Sequence, residues 1–424
     1  MLAPERPGRY PATPWAAARL YRPFVAAAIT SGLAGAALGA SMMVGAVPLS
    51  VALELHVTLQ LLGWCGLFIL GMAMHVIPRF YGNAPIWFPW PQRITLVFIV
   101  SGLLLRGAAG AMPVSWLSSV TVATGGVAVA AGLGVACVTL GRVIWARTMP
   151  MRPIGHWLWL GLGGAAATSI TFAEMSLQQG LSGAEAPDLH LWRTFQSVAL
   201  HLFILPFAFG IASRSVSALL GLRTPGRVVD RAAAVLVGGG GVALAVGAMG
   251  GLAAATGLGM LGIAGGATAH LVGMHLFGRA VNPSPRWFVT YLQVAYAWLG
   301  VATVLYAWQA LGTLGVMGVA TLPGRPELHV LTVGYFSILI VGIASRLLPL
   351  FEGRVLRFHG LLAVALVALT LSTAIRTAGA VAPLSPLLYH VAAAMAAAGI
   401  LTGIAPVAYV LLAQVRAGGL WIEA

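Results

Sequence analysis

The 424-residue chain has no lysine, nine acidic residues and two cysteines, and each shortage closes off a class of function. Cys65 and Cys137 both lie inside apolar runs and build neither a disulfide framework nor a thiolate metal motif. Only 8% of the residues are charged, so the net charge of +14 does not describe a nucleic-acid-binding surface, which needs a soluble basic face. Linkers, low-complexity tails and long polar segments are missing as well, so a single integral domain over residues 1–424 is expected. The arginine-bearing N-terminal stretch leads into a full-length apolar run without a small-residue cleavage pattern, unlike a secretory signal.

What is there is apolar. With 59% hydrophobic residues and a mean hydropathy of +0.94, the chain carries more apolar surface than one water-soluble core can hide. Runs of bilayer-spanning length, about 20 residues each, lie near 24–47, 53–78, 94–112, 116–141, 154–174 and 196–220. Six more lie near 230–252, 255–278, 288–313, 327–350, 359–380 and 387–412. Runs this long exclude a transmembrane barrel, whose strands alternate over about ten residues. The expected fold is all-α, a polytopic membrane protein of twelve transmembrane helices.

All 23 basic residues are arginine. With twelve alternating spans, Arg106, Arg193, Arg325 and Arg376 fall on one side and the other nineteen, including Arg6, Arg9, Arg147, Arg152, Arg279 and Arg416, on the opposite one. The positive-inside bias then makes both termini cytoplasmic. Glu54, Glu185, Asp188 and Glu327 fall on the outer side.

Three distant stretches resemble one another. Glu54-Leu55-His56 precedes Gly71-x-Ala73-x-His75-x-x-Pro78 and a trailing Gly82, and Glu327-Leu328-His329 precedes Gly342-Ile343-Ala344-Ser345-Arg346-x-x-Pro349 and Gly353. Between them stands Gly210-Ile211-Ala212-Ser213-Arg214, trailed by Gly221. The copies suggest a four-helix unit used three times, with units centred on 53–78, 196–220 and 327–350. Pro206, inside the middle copy, removes a backbone hydrogen bond and predicts a kink there.

Ten histidines in a chain of nine acids are the residues to follow, because an unpaired polar group inside a span is costly. His56 and His329 occur at matching outer depths, and His201 lies a turn or so deeper. His270 and His275 are five apart, roughly 140° around a helix, and do not naturally grip one ion. A neutral imidazole held on a helix suits haem iron and also copper, which makes His56, His329 and His201 candidate metal ligands. Arg106 and Arg376 are each followed seven residues later by a proline, Pro113 and Pro383. A buried guanidinium needs an anionic partner. A haem propionate is one such partner; Glu54, Glu174 and Glu327 are the alternatives within the chain. The spacing therefore suggests two related haem-facing sets, His56 with Arg106 and His329 with Arg376. Arg214 and Arg346, and His75 at the matching place, are expected to reach the cytoplasmic surface.

Tyr21-Arg22-Pro23-Phe24, the stretch from His56 to Gly63-Trp64, the arginine late in the third span, and Leu328-His329-Val330-Leu331-Thr332-Val333-Gly334 running on to Arg346 and Gly353-Arg354 resemble the NnrS family. That resemblance implies a twelve-helix membrane protein carrying haem and copper and associated with the bacterial response to nitric oxide. The family commonly reads His-x-His-Glu in its second span, where this chain has Thr58 and Leu59, and often has a histidine where this chain has Phe351. Those departures weigh against copper more than against haem. The layout is also similar, more distantly, to haem-copper oxidase and nitric oxide reductase catalytic subunits. This chain lacks their paired His-His in the seventh span and His-x-His in the tenth, so a working oxygen reductase is not expected. The resemblance implies a protein that binds, senses or detoxifies nitric oxide, with the bilayer, a small gaseous ligand and a redox protein as partners. The alternatives are a divergent oxidase-like electron-transfer subunit and a cofactor-free transporter, for which broken helices with ionisable groups at the midplane are the signature.

Overall fold

A computed structural model describes residues 19, 21–47, 49–80, 90–146, 154–278, 281–316 and 318–412. Several of the sequence landmarks lie outside these residues: Arg6, Arg9, Gly82, Arg147, Arg152, Arg279 and Arg416. The described chain is helical throughout, with no strand among the described residues. Its long helices are α1 (Tyr21–Met43), α2 (Ala52–Phe80), α3 (Trp90–Gly110), α4 (Trp116–Trp145), α5 (Gly155–Ser182) and α6 (Leu189–Leu220). They continue as α7 (Arg227–Gly250), α8 (Ala253–Gly273), α9 (Arg286–Thr313), α10 (Pro326–Glu352), α11 (His359–Val381) and α12 (Pro386–Leu412). All except α5 are long and apolar enough to cross a membrane by length and composition. The protein is a multi-pass membrane protein.

Local chemistry sets the ends. Ser115 caps α4 through a reciprocal pair of bonds with Ser118, and Asp188 caps α6 by accepting from the amides of His190 and Leu191. Gly221 and Gly353, the trailing glycines of two sequence copies, take left-handed φ values of 67° and 60° and close α6 and α10. Only glycine enters that region without a Cβ penalty, which is why it terminates helices so often.

Burial divides the helices. In α2, α6 and α10 the most apolar stretch is 94%, 89% and 72% buried, against at most 50% in the other eight apolar spans found among the described residues. The three central helices meet directly: Trp64 Nε1 donates to Ser337 Oγ at 3.1 Å, Gly66 faces Phe203, and Phe209 packs edge-on against Tyr335. Around them α3 packs on α4, α4 on α5, α7 on α8, α8 on α9 and α11 on α12, and α12 returns to α1. The same three helices carry the recurring Gly-x-Ala strings, and each string does one job. A Cβ on Gly71, Gly210 or Gly342 would lie 2.4, 2.7 or 3.0 Å from the Cβ of Phe24, Trp157 or Tyr291, an aromatic residue from α1, α5 or α9. The strings are sockets for close helix approach.

Each central helix also widens into a π segment: Leu59–Leu67 in α2, Val198–Ile204 in α6 and Val330–Ser337 in α10. In α6 the segment ends just before Pro206, so the wide turn accommodates the missing N–H that the sequence alone suggested would kink the helix. Ser337 Oγ donates back to the carbonyl of Thr332, five residues earlier.

Candidate functional site

His56 is placed by a ridge fitted into a row of glycines. On α1, Gly32, Gly35 and Gly39 form a strip without side chains, and a Cβ on them would lie within 3 Å of Trp64, Gln60 and His56 respectively. These three residues recur every four positions along α2. Gln60 Nε2 donates to the carbonyl of Gly32 at 3.2 Å, and His56 Nδ1 lies 2.7 Å from the carbonyl oxygen of Gly35. A carbonyl only accepts, so the proton sits on Nδ1 and Nε2 presents its lone pair.

His329 stands three residues into α10, immediately ahead of a π segment. His56 stands three residues ahead of the one in α2, and His201 lies within the one in α6. π segments recur at functional sites because they re-aim side chains that a regular helix would direct elsewhere. His56 and His329, far apart in sequence, come close enough to interact electrostatically, and Arg376 of α11 acts on both. Both residues are half-buried. His329 has no hydrogen-bond partner among the described residues, and Arg376 makes no ion pair among them. Arg376 thus lies within electrostatic reach of both imidazoles.

Arg106 is committed elsewhere. It is 5% exposed, forms an ion pair with Glu54, and donates to Gln179 Oε1 at 2.9 Å and Ser176 Oγ at 2.6 Å. Its guanidinium also lies 5.1 Å from the ring centre of Phe172. Of the acids weighed as its partner, Glu54 is the one it meets. Glu327 is held in a comparable way, by Arg325 at 3.4 Å and Gln309 at 3.2 Å. Glu and His stand two residues apart in both helices, roughly 200° around the axis. The carboxylates therefore clamp the N-terminal ends of α2 and α10 from behind while the imidazoles face the other way.

His201 has both ring nitrogens engaged. Nδ1 lies 3.0 Å from the carbonyl of Ser197, and Nε2 accepts from Tyr306 Oη at 2.6 Å. To ligate a metal it would have to give up the Tyr306 bond. His270, 2% exposed, stacks on Phe209 at 3.8 Å and reaches Tyr296 Oη at 3.3 Å, while His275 lies beyond the end of α8 at φ 50°. Among the described residues no three His, Cys, Asp or Glu side chains gather into a metal-binding group. Glu174 is exposed on α5 and makes no ion pair among the described residues.

At the other end of the central helices, Glu352 of α10 is fully buried and receives Arg22, Arg19 and Tyr21. His75 lies between the rings of Tyr21 and Phe351, each 4.5 Å away. Arg214 reaches over the ring of Phe80 at 4.8 Å, and Arg346 is half-buried, with its Nε buried and without a hydrogen bond among the described residues.

The supporting residues Gly35, Gly39, Gln60, Gln179, Gln309 and Tyr306 escaped the sequence reading. For the first three a signal existed: the 32/35/39 spacing of glycines mirrors the 56/60/64 spacing of large residues. Comparison of the chain with family models and with curated protein sequences gives no match in either.

Proposed function

We propose that this is an NnrS-like haem protein of the bacterial inner membrane that binds nitric oxide, with both termini cytoplasmic and with His56 and His329 as haem ligands in one centre. The observation that carries the reading is that Arg376, a half-buried guanidinium without a carboxylate partner among the described residues, lies within electrostatic reach of two imidazoles from two central helices. That donor set fits haem. Two imidazoles suffice, because the macrocycle brings four nitrogens of its own, and a carboxylate on its edge gives Arg376 the anionic partner a buried cation needs. A bare copper ion would draw on the same two rings and would need further donors, so copper is secondary in this reading.

Bound haem would supply an iron atom with affinity for small gaseous ligands. The chain's part is to hold the imidazoles on rigid helices, to fix one of them through Gly35, and to keep the surroundings apolar, where a small uncharged gas concentrates. Glu54 and Glu327 act behind the site as clamps on the helix ends. Redox turnover with a partner protein is a separate question that the same preparation answers.

Purified protein expressed with ample haem is expected to show a Soret band that shifts when the reduced form is titrated with nitric oxide. No Soret band, or a band unmoved by nitric oxide, overturns the proposal. Absence of haem together with substrate-driven transport would favour the cofactor-free transporter instead, and turnover driven by quinol or a cytochrome would favour the electron-transfer subunit.

A further inference from the structure

The two imidazoles of the centre are not equivalent. His56 is held three ways. Its Nδ1–H donates to the Gly35 carbonyl at 2.7 Å, its ring lies so close to α1 that a Cβ on Gly39 would come within 2.7 Å of Cε1, and the next turn is tied down by Gln60 on Gly32. A hydrogen bond at Nδ1 fixes the tautomer, orients the ring and makes Nε2 a better donor to a metal.

None of this applies to His329. Its ring has no hydrogen-bond partner among the described residues, and no glycine strip on a neighbouring helix seats it. The backbone beneath it is anchored through Glu327, held by Arg325 and Gln309, but that anchor lies on the opposite face of the helix. Arg325 itself precedes α10 in a left-handed conformation, at φ 51°. No hydrogen bond among the described residues therefore fixes its tautomer or the orientation of its ring.

We infer that His56 is the permanent anchor of the centre and His329 its exchangeable ligand, so that a small neutral donor molecule enters on the α10 side by displacing His329. This rests on the haem reading above and assigns the side on which ligand exchange takes place. Exchange on that side leaves the α1–α2 seat undisturbed, and with it the attachment of the centre. Arg376, which acts on both rings, stays in place to hold the macrocycle carboxylate.

The test compares His56→Ala with His329→Ala in the full-length protein, both checked for monodispersity. His329→Ala is expected to retain haem close to the unsubstituted level, to show a five-coordinate spectrum, and to take up added imidazole or carbon monoxide without a lag. His56→Ala is expected to lose affinity for haem by about ten-fold or more, the scale on which fixed ligands and their hydrogen-bonded supports act. Equal loss in both variants, or greater loss in His329→Ala, overturns the inference while leaving the haem reading intact; an unsubstituted protein without haem overturns the reading itself. A second measurement needs neither haem nor a folded His56→Ala protein. In haem-free protein labelled with 15N-histidine, His56 is expected as one Nδ1–H tautomer and His329 as a mixture, and a single fixed tautomer for both would also overturn the inference.

Discussion

At the residue scale, the position of His56 depends on what is missing opposite it. An alanine at Gly39 would place its Cβ 2.7 Å from Cε1 and 2.9 Å from Nδ1 of the ring, closer than real Cβ atoms approach. The ring cannot retreat without breaking the bond to Gly35, and the α1 backbone cannot shift without disturbing the Gln60 and Trp64 sockets next to it. Gly39→Ala is therefore expected to cost about 1–3 kcal/mol, the usual price of overpacking, and to lower haem retention. Gly134→Ala in α4 is the control, because a Cβ there meets nothing within 4 Å. It is expected to be neutral, or to stabilise by roughly 0.5–1 kcal/mol through helix propensity. Thermal unfolding in detergent, followed together with the haem-to-protein ratio, checks both. Equal behaviour of the two variants would mean that the glycine strip does not seat the ring.

At the element scale, the ends of the central helices are fastened by different chemistry. The N-terminal ends of α2 and α10 carry carboxylates, Glu54 and Glu327, held by arginine and glutamine. The opposite end of α10 is fastened through Glu352, whose buried carboxylate gathers Arg22, Arg19 and Tyr21 from the start of α1. Glu352→Gln keeps the volume but removes the charge, so Arg22 loses its forked acceptor. Hydrogen bonds to charged groups contribute about 1.5–3 kcal/mol each, and part of the loss is recovered because Arg19 and Arg22 are a third or more exposed on their side chains. A lowered unfolding temperature with an unchanged spectrum is the expected result, since Glu352 and His329 stand at opposite ends of α10. A changed spectrum would mean that the two ends are coupled. Much of this layer was legible beforehand. The apolar runs located most spans to within a few residues, except that α5 runs eight residues past its run and α6 starts seven residues before its own, and the trailing glycines Gly221 and Gly353 close helices. What was hidden follows from physics that periodicity does not record. A π segment shifts which side chains face inward without changing composition, so His56 and His329 could be matched in depth but not seen to converge. Arg106 and Arg376 look alike in sequence, yet only Arg106 has Glu54, Gln179 and Ser176 within reach, and those partners come from other helices.

At the scale of the whole molecule, the number of crossings decides where everything else lies. Among the described residues eleven helices have the length and apolarity of membrane spans, and α5 is the long helix that does not meet that standard. At 28 residues and about 1.5 Å per residue it is nonetheless long enough for a hydrocarbon core of about 30 Å. Two of its polar side chains have partners on neighbouring helices: Ser176 accepts from Arg106, and Ser169 donates to the carbonyl of Ala130. A helix whose polar groups are satisfied by its neighbours can cross with modest hydropathy, because lipid meets only its remaining face. Parity makes the question testable. If both α4 and α5 cross, the segment before α4 and the segment after α5 lie on the same side of the membrane; if α5 does not, they lie on opposite sides. Val114 and Ala184 are exposed in those two segments, and Cys65 and Cys137 are the only native thiols to replace with alanine. Val114→Cys and Ala184→Cys are expected to react alike with a membrane-impermeant maleimide applied to intact spheroplasts, while Thr224→Cys, after α6, reacts only once the membrane is opened. Opposite labelling of positions 114 and 184 would reduce the count to eleven. It would also place the two termini on opposite sides, and with them the arginine bias, so that Arg106 and Arg376 could no longer belong to one face of the membrane.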